Sequence, residues 1–231
     1  MIRHLENKNM GKSNLGWLKS SFHFSFAEYF NIDNMHFGPL RVLNDDLIEA
    51  GTGFDTHPHE NMEIITYIVS GELTHGDSMG NKRTLSRGNM QYMSAGTGVY
   101  HSEHNLSDDM LRLLQIWIIP DKQGLKPQYG DFEFNFDDRR NNFLHMVSSM
   151  EGNAPIKINQ DVNIYTLFLE EGKEIEFKVE DGRQVYLVQI EGNSIINNIK
   201  VNERDALEII EEDISIKSKT DSHFILIEMR K

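Results

Sequence analysis

The amino-acid sequence predicts an all-β protein that consists of two jelly-roll β-barrel domains. Short runs rich in β-branched and aromatic residues recur along the chain, and turns rich in Gly, Asn and Asp separate them. The length of 231 residues is enough for one large all-β domain or for two modest barrels. Many short strands with turns between them are typical of a double-sheet jelly roll.

Five segments give the clearest strand patterns, and one tight turn is recognisable between strands. The segment 77–81, Asp-Ser-Met-Gly-Asn, predicts the tip of a hairpin, because Asn and Gly tolerate positive φ angles. The five predicted strands are 62–69, 111–119, 164–169, 185–190 and 224–227.

The strand pattern weakens between residues 120 and 142, and this change predicts the domain boundary. Gly124, Pro127 and Gly130 lie in a polar stretch there, and the strand pattern resumes near Phe143. We therefore expect an N-terminal domain over residues 1–130 and a C-terminal domain over residues 131–231.

The composition and the first residues indicate a protein of the cytoplasm. Hydrophobic residues make up 39% of the chain and charged residues 26%, and no apolar run approaches the roughly 20 residues that a membrane helix requires. The N-terminus alternates polar and charged side chains where a secretory signal would place a continuous apolar stretch. We therefore expect neither export nor membrane association.

Charge and cysteine content restrict the ligands that the protein can bind. The formal net charge of -13 repels phosphate backbones, and no compact Lys/Arg stripe with interleaved aromatic residues opposes it. Direct binding of nucleic acid is therefore disfavoured. Because the chain has no cysteine, any metal ion must be held by nitrogen and oxygen atoms.

Two short motifs carry the candidate metal ligands. His57 and His59 flank Pro58, and His101 and Glu103 flank Ser102. Residues i and i+2 of a strand point to the same face, so each motif presents two ligands to one side of a sheet. If both strands face one barrel interior, three imidazoles and a carboxylate converge. The histidines of a lone His-x-His motif are more often ordinary surface or core residues than metal ligands. The presence of the second motif makes a metal site the favoured interpretation.

This ligand set fits several divalent transition metals. Fe(II) is the first choice, and Mn, Co, Ni, Cu and Zn are all compatible with three imidazoles and one carboxylate.

These residues carry a resemblance to a known family. Gly51, separated from His57 by five residues, together with Glu63 and Gly71 resembles the first motif of the cupin superfamily. The segment 88–103, which runs from a Gly through a Gly-rich turn to His-Ser-Glu, resembles the second motif as it occurs in pirins. In ordinary cupins the residue that matches Glu63 is a metal ligand, whereas the pirin pattern moves the carboxylate to the position of Glu103.

The resemblance to pirins implies a bicupin fold with one metal ion in the N-terminal barrel. It also implies, in some family members, an oxidative ring opening of flavonols such as quercetin with O2. The ligands that it implies are His57, His59, His101 and Glu103.

The second half resembles a degenerate cupin. Its lone His145 and His223 have no partner two residues away, so we expect a C-terminal barrel without metal. Residues 201–209 resemble the turn and strand of a second cupin, with Arg204 where many relatives carry Gly.

The expected function is that of a quercetin 2,3-dioxygenase-like oxidoreductase that works as a monomer. The flavonol would bind the open metal position through its deprotonated 3-hydroxyl, and Glu103 would serve as a permanent ligand or would take the proton. The alternative is a metal-dependent regulatory protein that binds a protein partner and has no dedicated catalytic role.

Nearby residues have competing interpretations. Glu63 could be a fifth ligand, since strand parity from His57 directs it inward, but we expect it to support the ligands or the fold instead. We expect His75 and His104 to lie outside the ligand set. The alternating Phe132, Phe134 and Phe136 either line an aromatic substrate cleft or pack at the barrel junction.

Overall fold

The computed structural model describes all 231 residues, Met1–Lys231, and almost all of its regular structure is β. Two short 3₁₀ helices, Asn7–Asn9 and Phe136–Arg139, are its only helical elements. No helix therefore has the length and apolarity needed to cross a membrane. In chain order, the strands of the first half are β1 (Ile2–Leu5), β2 (Gly11–Asn14), β3 (Leu18–Phe22), β4 (Leu40–Ile48), β5 (Thr52–His59), β6 (Glu63–Ser70), β7 (Glu72–Asp77), β8 (Lys82–Ser86), β9 (Met90–Ser94), β10 (Val99–Asn105), β11 (Leu111–Ile118) and β12 (Gln128–Phe132). Those of the second half are β13 (Leu144–Ser149), β14 (Ile156–Ile158), β15 (Val162–Leu169), β16 (Glu174–Phe177), β17 (Arg183–Glu191), β18 (Ser194–Ile196), β19 (Ile199–Val201), β20 (Ala206–Ile210), β21 (Ile214–Ser218) and β22 (Ser222–Arg230).

The chain forms two compact units. The N-terminal unit comprises residues 11–135 and 158–160. It contains a seven-stranded sheet in the order β12-β9-β6-β11-β4-β3-β2 and a four-stranded sheet in the order β5-β10-β7-β8. All strand pairs in these two sheets are antiparallel.

The C-terminal unit comprises residues 1–10, 136–157 and 161–231 and repeats the same pattern of sheets. Its seven-stranded sheet has the order β1-β20-β17-β22-β15-β13-β14, and its four-stranded sheet has the order β16-β21-β18-β19. The first strand of the chain belongs here because β1 pairs with β20, with Ile2 opposite Ile209. The predicted domains, residues 1–130 and 131–231, differ from these two units mainly because β1 belongs to the C-terminal unit. The predicted domain limits stay a prediction.

Apolar side chains from both sheets form the core of the N-terminal unit. Ile48 and Ile68 of the seven-stranded sheet pack in one cluster with Leu73 and Leu85 of the four-stranded sheet, and all four are at most 2% exposed. Burying each such side chain contributes about 1.5–3 kcal/mol. This cluster holds the two sheets of the unit face to face, as in the predicted jelly roll.

A row of polar side chains crosses the seven-stranded sheet of the N-terminal unit. Gln91 on β9 lies opposite Thr66 on β6, Thr66 lies opposite Gln115 on β11, and Gln115 lies opposite Asn44 on β4. All four side chains are buried. Burying polar groups costs free energy unless they are hydrogen-bonded. The row therefore indicates that this part of the sheet has a role beyond packing the core.

The structure confirms the predicted strands and the predicted hairpin tip. Each of the five predicted segments overlaps a strand, namely β6, β11, β15, β17 or β22. The hairpin between β7 and β8 turns at 78–81, where Gly80 has a φ of 93° and Asp77 Oδ1 accepts hydrogen bonds from the backbone N–H groups of Met79 and Asn81. Arg204 keeps the left-handed turn expected of a Gly, with a φ of 67°.

Candidate metal centre

Two neighbouring strands of the four-stranded sheet carry the predicted ligands. β5 and β10 pair in antiparallel register, with His101 opposite His57 and Val99 opposite His59. Residues that face each other across an antiparallel pair share a face of the sheet. The register therefore brings the His-x-His motif and the His-Ser-Glu motif to the same face.

An irregularity in this register sets the position of Glu103. The pairing shifts between His101 and Glu103, so that Glu103 lies opposite Phe54 and β5 carries one extra residue. Gly53 lies beside this shift, and a Cβ atom there would come 2.3 Å from the backbone oxygen of Glu103. The close approach of the two strands therefore requires a glycine at position 53.

Three imidazole rings converge at this face. The ring centroids of His57 and His101 are 4.5 Å apart, and His59 is 4.8 Å from each of them. The Nε2 atoms of His57 and His101 are 3.1 Å apart. Two nitrogens bound to one ion at about 2.1 Å stand about 3.0–3.4 Å apart at angles between square and tetrahedral. The spacing therefore fits two ligands of one metal ion.

The surroundings of the ring nitrogens of His57 and His59 also fit metal ligation. The Nδ1 atom of His57 lies 2.7 Å from the backbone oxygen of Asp55, which fixes Nδ1 as the donor and leaves Nε2 with a free lone pair. The Nε2 atom of His59 is buried and has no hydrogen-bond partner. An orphaned imidazole nitrogen beside two other imidazoles is explained by a bound ion.

The electrostatics of the cluster keep two of the rings neutral. Burial, together with the positive charge that the neighbouring histidines would carry, lowers the pKa of His59 to about 4 and that of His101 to about 3. Both imidazoles are therefore uncharged at neutral pH. The neutral imidazole is the form that binds a metal ion.

Glu103 is buried beneath the rings and is held by the polar row of the other sheet. Its Oε1 atom accepts hydrogen bonds from Thr66 Oγ1 at 2.9 Å and from Gln91 Nε2 at 2.7 Å, and its Oε2 atom accepts one from Gln115 Nε2 at 2.6 Å. The side chain is 1% exposed. Three donors thus fix the orientation of the carboxylate.

His75, which was predicted to lie outside the ligand set, is a close neighbour of the site. It lies opposite Glu103 on β7, and ligand atoms of His75, His101 and Glu103 lie within 4.8 Å of one another. Its ring stacks on Tyr129 at 4.4 Å, and its Nε2 atom is 3.3 Å from Asp77 Oδ2. The His-Gly-Asp spacing of 75–77 is the sequence feature that points to this residue.

The other acidic and histidine side chains near the motifs have different partners. Glu63 accepts hydrogen bonds from Ser94 Oγ at 2.6 Å and from the side-chain amide of Asn159 at 3.2 Å, so it anchors the segment 158–160. His104 points away from the cluster toward Asp55, at 3.4 Å.

The lone histidines of the second half also have other partners. The Nε2 atom of His145 is 3.0 Å from Asn163 Oδ1, and the Nδ1 atom of His223 is 3.1 Å from Glu191 Oε2.

A cavity of about 320 Å³ opens over the histidine cluster. His57, His59, His101 and Glu103 all line it. Its aromatic wall consists of Phe22, Phe26, Phe54 and Trp117. The volume and the largely apolar lining are typical of a site for a small organic ligand.

Phe132, Phe134 and Phe136, the aromatic residues predicted to line a substrate cleft or to pack at the barrel junction, do not line this cavity. Phe132 is 41% exposed, and its ring packs against that of Phe134 at 4.4 Å. Phe136 lies in the second 3₁₀ helix of the C-terminal unit. The aromatic side chains that line the cavity come from strands β3, β5 and β11 and from the loop after β3. Sequence periodicity alone does not show that these segments lie close together.

The paired sheets of each unit and the histidine cluster at β5 and β10 define a two-domain protein of the cupin type. Residues 4–118 match the family profile described as Pirin, and residues 145–229 match the profile described as the quercetinase C-terminal cupin domain. The chain belongs to the pirin family.

Similar proteins and structures agree with this assignment. The chain is 41% identical over 231 residues to a protein of Escherichia coli K12 named quercetin 2,3-dioxygenase, covering 99% of both chains. It is 38% identical to a pirin-like protein of Caulobacter vibrioides, again over 99% of both. The crystal structure of the E. coli bacterial pirin YhhW in complex with nickel(II) matches with a TM-score of 0.93 at 39% identity, covering 100% of this chain and 99% of that one.

Proposed function

We propose that this protein is a metal-dependent dioxygenase that opens the ring of a flavonol such as quercetin with O2. The observation that carries the proposal is the convergence of three imidazoles, with the fixed carboxylate of Glu103 within 4.8 Å of His101, at an aromatic-lined cavity of about 320 Å³. The relative named quercetin 2,3-dioxygenase, at 41% identity over the full chain, supports the same substrate class.

In this proposal the N-terminal unit holds one divalent transition metal ion, and the C-terminal unit holds none. The ligands are His57, His59, His101 and Glu103. A set of nitrogen and oxygen ligands is compatible with Fe(II), our first choice, and also with Mn, Co, Ni, Cu and Zn. The nickel(II) complex of the similar E. coli pirin supports a divalent transition metal without selecting among these.

The residues of the chain then have separate tasks. A bound metal ion would lower the pKa of a coordinated hydroxyl group and thereby activate the substrate. The rings of Phe22, Phe26 and Trp117 would hold a flat aromatic molecule and keep water away from it. Trp117 lies against the cluster, with its ring centroid 4.9 Å from that of His59. Glu103 acts as a ligand whose orientation the polar row of the sheet determines.

The wider setting follows the sequence. We propose that the protein works in the cytoplasm as a monomer. We also propose that it does not bind nucleic acid directly, because its net charge of -13 repels phosphate backbones.

The test is aerobic turnover of quercetin by protein reconstituted with Fe(II). The expected result is consumption of quercetin with release of carbon monoxide, and loss of both in His57→Ala. Glu103→Gln keeps the shape of the side chain but removes its charge, so metal affinity and turnover should both fall at least tenfold. Metal-loaded protein that never consumes quercetin would contradict the enzymatic role and would favour a regulatory protein that binds a partner.

A further inference from the structure

The cavity contains unused hydrogen-bonding atoms away from the four proposed ligands. Six buried side-chain nitrogen or oxygen atoms of the chain have no hydrogen-bond partner, and five of them belong to residues that line this one cavity. Two of these five belong to the proposed ligands His59 and His101, and the other three are Asn44 Oδ1, Asp46 Oδ1 and Trp117 Nε1. Buried polar atoms are nearly always paired in native structures, so such a concentration indicates a site for a polar ligand.

Asp46 and Asn44 are neighbours on one face of β4. They are two residues apart, and both therefore point to the side of the sheet that faces the cavity. Asp46 is 3% exposed and Asn44 is 4% exposed. Across the sheet, Ser20 of β3 lies opposite Asp46, and its side chain donates a hydrogen bond to the Asp46 carboxyl group.

The adjacent Asp45 shows that the carboxyl groups of this strand are not all left with an unpaired oxygen atom. Asp45 points to the opposite face, where Arg112 donates from Nε at 2.9 Å and from Nη2 at 2.8 Å. No such cation lies against Asp46. Burial raises the pKa of Asp46 to about 7, and the negative charges of Asp45 and Glu103 add to this effect. A carboxyl group near half protonation accepts or donates a hydrogen bond with a hydroxyl group equally well.

We propose that Asp46, together with Asn44 and Ser20, forms a subsite that binds a ring hydroxyl group of the ligand in the cavity. The proposal rests on the flavonol dioxygenase function and narrows its substrate class. A flavonol with hydroxyl groups on its outer rings satisfies the free oxygen atoms, whereas one without them buries those atoms unpaired. A site built to hydrogen-bond a hydroxyl discriminates strongly against ligands that lack it.

The test measures binding without turnover. Ni(II)-loaded protein is titrated in the absence of O2 with quercetin and with 3-hydroxyflavone, which carries no outer-ring hydroxyl, and tryptophan fluorescence is followed because Trp117 lines the cavity. The wild type should bind quercetin at least tenfold more tightly. Asp46→Leu should weaken quercetin binding about tenfold, as expected for loss of a hydrogen bond worth about 1.4 kcal/mol, and should leave 3-hydroxyflavone unchanged or bound more tightly.

Two further variants complete the design. Asp46→Asn keeps an acceptor and should retain most of the quercetin affinity, so it tests the proposal if Asp46→Leu fails to fold. Asp108→Leu makes the same change at an exposed loop residue and should alter the affinity for neither quercetin nor 3-hydroxyflavone.

Three outcomes would overturn the proposal. Equal binding of the two flavonols by the wild type would do so without any variant, and unchanged quercetin binding in Asp46→Leu would mean that only water meets the free oxygen. Equal loss of both ligands in Asp46→Leu would indicate a general change of the cavity. If quercetin is turned over normally in any of these cases, only the subsite is wrong, whereas absence of any flavonol binding in the wild type contradicts the proposed function as well.

Discussion

The carboxylate of Glu103 on β10 accepts a 2.6 Å hydrogen bond from the side-chain amide of Gln115 on β11, which belongs to the other sheet of the same unit. This contact links the strand that carries two proposed ligands to the sheet behind it. A buried carboxylate that loses such a donor keeps the full cost of its desolvation.

The first prediction concerns this contact. Gln115→Leu should lower the free energy of unfolding of the metal-free protein by about 1–3 kcal/mol, because one oxygen of Glu103 is left without a donor. Urea denaturation followed by circular dichroism measures the change. Gln123→Leu, at an exposed position, is the control and should stay within about 0.5 kcal/mol of the wild type. If the two variants behave alike, the contact does not stabilise the fold.

The second prediction separates the proposed ligands from their neighbours. His101→Ala should remove metal binding, because His101 lies within 4.8 Å of the other ligand atoms. His104 is the next histidine on the same strand but points toward Asp55, so His104→Ala should keep full metal content and change stability by about 0.5 kcal/mol at most. Elemental analysis after gel filtration measures the metal. Loss of metal in His104→Ala would show that the assigned faces of β10 are reversed.

The third prediction is a dependence of stability on pH in the metal-free protein. The pKa values of His59 and His101 are lowered to about 4 and about 3, whereas in the unfolded chain they are about 6.5. The unfolded chain therefore binds more protons below about pH 6.5, and the stabilising effect of these groups, complete above that pH, is lost as the pH falls toward 4. Asp46, with its pKa raised to about 7, acts in the opposite sense.

Because Asp46 acts in the opposite sense, the pH profile of the wild type must be compared with that of a variant without the two histidines. The free energy of unfolding is measured from pH 7.5 to pH 4 after removal of metal with a chelator, for the wild type and for the double variant His59→Gln/His101→Gln. The wild type should lose more stability on acidification than the double variant, because only the wild type carries the two titrating rings. Parallel profiles would show that these rings keep ordinary pKa values.

The fourth prediction concerns the left-handed residue of the C-terminal unit. Arg204 has a φ of 67°, a conformation that costs a residue with a Cβ atom about 1–2 kcal/mol, while Gly loses about 0.5–1 kcal/mol more chain entropy on folding. Arg204→Gly should therefore be about 0.5–1 kcal/mol more stable than Arg204→Ala. The comparison with Ala removes any contribution of the Arg side chain. Equal stability in thermal unfolding would mean that the turn relaxes around the Cβ atom.

The histidine cluster could be predicted because its spacing is local. The i, i+2 pattern of His57 and His59 needs only a strand to bring both to one face, and the same holds for His101 and Glu103. The convergence of the two motifs followed from the resemblance to pirins, and the register of β5 and β10 produces it.

Features that depend on contacts distant in sequence could not be predicted in the same way. The shift that places Glu103 opposite Phe54 depends on the pairing of two strands, which leaves no periodic trace in either. Asp46 faces the cavity and Asp45 faces Arg112, and only the positions of the neighbouring strands decide which carboxyl group is paired. The place of β1 beside β20 likewise joins residues more than 200 positions apart.

The most direct test of the proposed centre is anomalous X-ray scattering at the absorption edge of the metal in crystals of the reconstituted protein. The proposal predicts one peak per chain, at about 2.1 Å from an imidazole nitrogen of each of His57, His59 and His101. A peak enclosed by His75, His101 and Glu103 instead, or a second peak near His145 or His223, would contradict it.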